Sequence, residues 1–120
     1  MIAIAEILIV SINIAMASYH AYLFKKGETV KHGWWGLAYL AFAVALSMLH
    51  HSWLLFICSL LIRKVVFDLS LNLFLGRQLF YVSTETTSVI DKLHYSIFGK
   101  KSEVYMSIYF AAIIVLNLFM

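Results

Sequence analysis

Hydrophobic positions in this chain run almost unbroken through long stretches, and the polar residues gather in short gaps between them. Four stretches, 2–24, 34–49, 52–75 and 104–120, each have the length and apolar character of a membrane-crossing helix. The gaps are unequal. Residues 25–33 are short and basic, His50-His51 is barely a turn, and 76–103 is long and polar. Within the long gap the pattern changes to a helical period. Ser88-Val89-Ile90-Asp91 fits the Ser-x-x-acid capping pattern, and Val89, Ile90, Leu93 and Ile97 share one face. Gly99 suits a helix C-terminus, and Lys92, Lys100 and Lys101 suit anionic head groups. The expected fold is an all-α integral membrane protein, with four transmembrane helices and a short interfacial amphipathic helix in one domain over 1–120.

Composition supports this picture. The chain is 63% hydrophobic and 12% charged, whereas a soluble domain is about one-quarter charged. Charge placement adds an orientation. Lys25, Lys26, Lys31, Arg77, Lys92, Lys100 and Lys101 all fall in the first and third gaps, and the opposite side holds no Lys or Arg. The positive-inside rule then puts 25–33 and 76–103 in the cytoplasm and both termini opposite. Trp34 and Trp35 mark one interface and Trp53 the other. Topology accounts for the basic residues, so no nucleic-acid partner is expected. Ala15-Met16-Ala17 resembles a signal-peptide cleavage site, but the run before it lacks a basic segment. Cys58 is the single cysteine, which excludes an intrachain disulfide.

The third stretch departs from the pattern, because Arg63, Lys64 and Asp68 lie inside it. Three such charges cost roughly 8–10 kcal/mol near a bilayer centre. The 15 Leu, Ile, Val and Phe residues of 52–75 return roughly 5–9 kcal/mol. The sums nearly cancel, so this helix needs polar neighbours. Glu6, Asn13 and His20 recur every seven residues and form one stripe of the first helix. Lys64, Asp68 and Asn72 recur every four and form another, with Arg63 beside it. Matching depths puts Asn13 beside Arg63 and Lys64, and His20 beside Asn72 and Asp68. Glu6 falls at the far end with Asn117 and His50-His51. These residues are expected to form a polar seam, satisfied by packing or open to a ligand. In the second helix Gly36, Ala43, Ser47 and His50 share a face suited to close packing.

No motif fixes a reaction. There is no nucleophile elbow and no glycine-rich phosphate loop. The hydroxyl run Ser83, Thr84, Thr86, Thr87 and Ser88, with Arg77 and Lys92, suits a phosphate or a partner. The five histidines show no tight ligand spacing. His20, His32, His94 and Asp68 are weak metal candidates only, and neither a metal nor a cofactor is expected.

The segments RKVVFDLSLNLFLGRQ (63–78) and FYVSTETTSVID (80–91) resemble a group of small, uncharacterised membrane proteins of bacterial and phage genomes. The resemblance implies no activity. It implies that the charged helix and the hydroxyl loop form one unit. The functional expectation is an envelope, virion-membrane or assembly component of the bacterial inner membrane or a lipid-containing virion. Its partners would be the bilayer and a protein or a second copy. The alternatives are a lipid head-group or metal-dependent enzyme using His20 and Asp68, and a holin or pore former.

Overall fold

The computed structural model describes residues 2–28, 32–82 and 89–120, the side chains of Ile2 and His32 excepted. The described residues form helices and connecting turns, with no strand among them. The order is α1 (Ile2–Lys25), α2 (His32–Leu49), α3 (Trp53–Ile62), a π-helical turn (Arg63–Phe67), α4 (Asp68–Phe74), α5 (Val89–Phe98) and α6 (Ser102–Leu118). α3, the π turn and α4 run on as one rod over 53–74. The hydrophobic stretches therefore correspond to α1, α2, the rod and α6, within a few residues at each end.

The helix ends follow from local chemistry. Ser52 caps α3, its hydroxyl accepting the Leu55 N–H at 3.3 Å. His51 before it takes a left-handed conformation, φ 53°, which closes the tight turn out of α2. Gly99, at φ 61°, stops α5 in the conformation that glycine adopts without steric cost. α5 and α6 are bent by 105° at this break. The expected cap Ser88 lies outside the described residues.

α1 and the rod run parallel, as three pairs of contacts show. Glu6 meets Cys58, Asn13 reaches Ser59 through Tyr39, and His20 meets Phe67. One end of the bundle, the turn end, lies at His50-His51. The other, the loop end, holds the termini of α1 and α4 and all of α5. The turn-end core is apolar, formed by Ala5, Ile9, Leu46, Leu55, Cys58 and Ile62. A smaller cluster of Val65, Tyr105 and Met106 lies toward the loop end.

Polar side chains are buried beside the apolar core, and large apolar ones face outward. The buried stripe of α1 is Ala5, Ile9, Asn13, Ala17, His20 and Ala21, with Asn13 and His20 fully enclosed. Its outward side shows Ile4, Ile7, Leu8, Ile14, Tyr19 and Tyr22. α6 likewise exposes Ile108, Phe110, Ile114, Val115 and Leu118.

Among the described residues one helix, over Ala3–Lys25, is by itself long and apolar enough to cross a membrane. α5 and α6 meet that test only as a pair, across their bend, and α2 is apolar but shorter. The rod is interrupted by the π turn and its charges. A further correction concerns α2. Ala43 and Ser47 are buried as expected, but Gly36 is exposed and has no atom within 4 Å of where a Cβ would stand. The buried side of α2 is carried instead by Tyr39, Ala43, Leu46 and Ser47, because Tyr39 must reach a partner for its hydroxyl.

Candidate polar binding site

Adjacent residues of a helix point about 100° apart, so Arg63 and Lys64 serve different sides of the rod. A π turn holds one more residue than an α turn, so it shifts the faces that follow by about 100°. Arg63 and Phe67 face α1 and α2. The Arg63 guanidinium lies 3.8 Å from the Phe67 ring centre and 5.6 Å from that of Tyr39. Lys64 faces the other way, toward α5 and α6. It sits between two carboxylates, 2.8 Å from Asp68 Oδ2 and 2.6 Å from Asp91 Oδ1. The Tyr105 hydroxyl donates to Asp68 Oδ2 at 3.1 Å.

This arrangement corrects the single seam expected from the sequence, which splits into three groups. At the turn end the Cys58 thiol faces Glu6 Oε1 at 3.6 Å, and the Asn117 amide faces Cys58 Sγ at 3.9 Å. In the middle, the Asn13 amide donates to the Ile9 carbonyl at 2.9 Å and to the Tyr39 hydroxyl at 3.2 Å. Tyr39 in turn donates to the Ser59 carbonyl at 2.6 Å. Asn13 and Arg63 thus share a neighbour in Tyr39, whereas Lys64 belongs to the third group, at the loop end. His20 is held edge-on between Trp35 and Phe67, each ring centre 5.0 Å away.

The loop-end group borders a cavity of about 70 Å³. Lys64, Asp68 and Asp91 line its charged side, and Arg77, Tyr81 and Tyr105 line it elsewhere. The segment after α4 is tied across it. Asn72 donates to the carbonyls of Leu79 and Tyr81 at 2.9 and 3.1 Å, and the Ser102 hydroxyl donates to that of Phe80 at 2.6 Å. Arg77 stands over the Tyr81 ring at 4.7 Å. His94 also borders the cavity. Its Nδ1 lies 2.8 Å from the Ile90 carbonyl, which can only accept, so Nδ1 carries hydrogen. In the neutral ring Nε2 then accepts the Tyr109 hydroxyl, 2.7 Å away.

His20 does not line this cavity, so the pairing of His20 with Asp68 that an enzyme reading requires is not assembled there. Among the described residues no three His, Cys, Asp or Glu side chains converge as a metal site would require. The His32 side chain lies outside the described residues. So does the hydroxyl run Ser83, Thr84, Thr86, Thr87 and Ser88. Of the phosphate-loop candidates, Arg77 borders the cavity and Lys92 is exposed.

Sequence reasoning missed the tyrosines. Tyr105 and Tyr109 are spaced i, i+4 at the start of α6, and this spacing was the available signal for a polar face there. Asp91 reads in sequence as a capping acid, yet its carboxylate also holds α5 against Lys64. No protein-family model matches the chain, and the search of curated proteins and solved structures found no similar protein, so the site is interpreted from its own chemistry.

Proposed function

We propose that this chain is a polytopic membrane protein whose four spans are α1, α2, the 53–74 rod and α6, with α5 lying along the interface. It acts by binding and assembly, without turnover, in a bacterial inner membrane or in the membrane of a lipid-containing virion. The apolar exterior carries this reading: large apolar side chains cover the outside, while Asn13, His20, Ser59, Lys64 and Asn72 are buried. In water such a surface would associate, whereas in lipid it is the stable arrangement. The long dimension of 40 Å is close to a bilayer with its head groups, about 40–45 Å. Lys25, Lys26, Arg77, Lys92, Lys100 and Lys101 belong to the loop end, which supports a cytoplasmic loop end and termini on the other side. α5 exposes Val89, Ile90, Leu93 and Ile97 beside these lysines, as an interfacial helix does.

Alkaline carbonate extraction of membranes tests the span reading, with the protein expected to stay in the pellet. Single cysteines placed in a Cys58→Ser background test orientation. A cysteine at Lys26 and one at His50 are expected to label from opposite sides. Release by carbonate, or labelling of both from one side, would defeat the four-span arrangement. Purified protein incubated with mixed phospholipids is expected to leave them unchanged; a product lost in Asp68→Asn would establish an enzyme instead.

A further inference from the structure

The loop-end cavity has an ordered distribution of charge. Its volume of about 70 Å³ exceeds the 10–15 Å³ or so that a single water needs. On its inner side the Asp68 side chain keeps 20% of its surface open beside Lys64. The Lys64 ion pair and the Tyr105 hydrogen bond to Asp68 both fall on Oδ2. Asp68 Oδ1 has no hydrogen-bond donor among the described residues. The exposed edge carries Arg77, which stacks on Tyr81 and forms no ion pair among the described residues. The Asp68 carboxylate therefore lies deeper, and a guanidinium lies at the rim.

A simple anion entering this cavity would meet carboxylates, and a simple cation would have to pass Arg77. A zwitterion with its amine leading and its phosphate trailing matches both ends. We propose that the cavity binds an ammonium–phosphate zwitterion, the chemistry of a phosphoethanolamine head group. Its amine would donate to Asp68 Oδ1 and its phosphate would pair with Arg77. This rests on the membrane reading above, which sets the loop end at head-group depth. A primary amine fits where a trimethylammonium does not, because carboxylate oxygens accept its N–H groups and the cavity is small.

The test uses the full chain in detergent, with its unfolding midpoint followed by tryptophan fluorescence. Short-chain phosphatidylethanolamine, phosphatidylcholine and phosphatidylglycerol are titrated separately, and free O-phosphoethanolamine is a fourth ligand. Phosphatidylethanolamine is expected to raise the midpoint saturably, well above the other two lipids. Arg77→Gln, at the exposed rim, is expected to weaken that response about tenfold, the value of one lost charge-assisted contact. Asp68→Asn is expected to abolish the preference for the amine. Free O-phosphoethanolamine acting as strongly, with the same dependence on Arg77, would support the same recognition for a soluble source. An equal response to all three lipids, or a preference unchanged in Arg77→Gln, would overturn the site. Retention of the protein in carbonate-washed membranes without lipid preference would remove this inference alone. Release by carbonate would remove the membrane reading.

Discussion

The turn end and the loop end of the bundle solve the same packing problem with opposite chemistry. At the turn end Ile9, Leu55 and Cys58 are fully enclosed, Glu6 faces the Cys58 thiol, and the Asn117 amide donates to the Ile113 carbonyl of its own helix. At the loop end a lysine, two aspartates and a tyrosine hydroxyl hold α4, α5 and α6 together. An apolar contact between membrane helices gains only packing, because lipid is as apolar as the partner helix. A buried charge must find its partners or remain costly. The loop end is therefore the region where the identity of single residues matters most.

The largest effect is expected there. Lys64→Met leaves Asp68 without its cation, and should lower unfolding stability in detergent by about 3 kcal/mol. Combining it with Asp68→Leu should recover only part of that loss, since an apolar pair replaces one ion pair while Asp91 still lacks Lys64. A double variant as unstable as the single would mean that Asp91 and Tyr105 need Asp68 for more than its charge. Leu55→Ala probes the turn end. On the proposed membrane reading it should cost only about 1–2 kcal/mol, below the range for cores in water, because the unfolded helix would still sit in an apolar medium. A loss above that of Lys64→Met would reverse the comparison.

Tyr105→Phe removes one hydrogen bond to Asp68 and should cost about 1 kcal/mol, read from the same unfolding curves. The smallest effect is expected at the turn. His51→Gly removes a side chain from a left-handed position, so it should raise the midpoint slightly, by less than about 1 kcal/mol. A clear loss would show that the His51 side chain makes a contact beyond closing the turn.

Much of the helix pattern was legible in the sequence. Residues 2–24, 34–49, 52–75 and 104–120 correspond to α1, α2, the rod and α6, and Val89–Phe98 was marked by its own period and by Gly99. The polar residues of the seam were legible too, because Asn13, His20, Lys64 and Asn72 stand out against apolar surroundings. Their partners were not. The four-residue spacing of Lys64, Asp68 and Asn72 does bring them to one cavity, but a spacing within one helix does not show which other helix that face meets. Gly36 was misjudged for a related reason, since a small residue marks a close approach only when another helix comes to that face.

The sequence by itself determined that this chain forms apolar helices, where they begin and end, and that Arg63, Lys64 and Asp68 require polar company. Those properties reside in hydropathy, capping and the cost of a charge, and each acts over a few neighbouring residues. Only the tertiary structure decided that Lys64 turns to Asp91 and Tyr105 while Arg63 turns to Tyr39 and Phe67. It also decided that a cavity remains between α4, α5 and α6. Both depend on how the rod is rotated against its neighbours and on the 105° bend between α5 and α6. Such angles arise from the packing of whole helices, which no local spacing encodes.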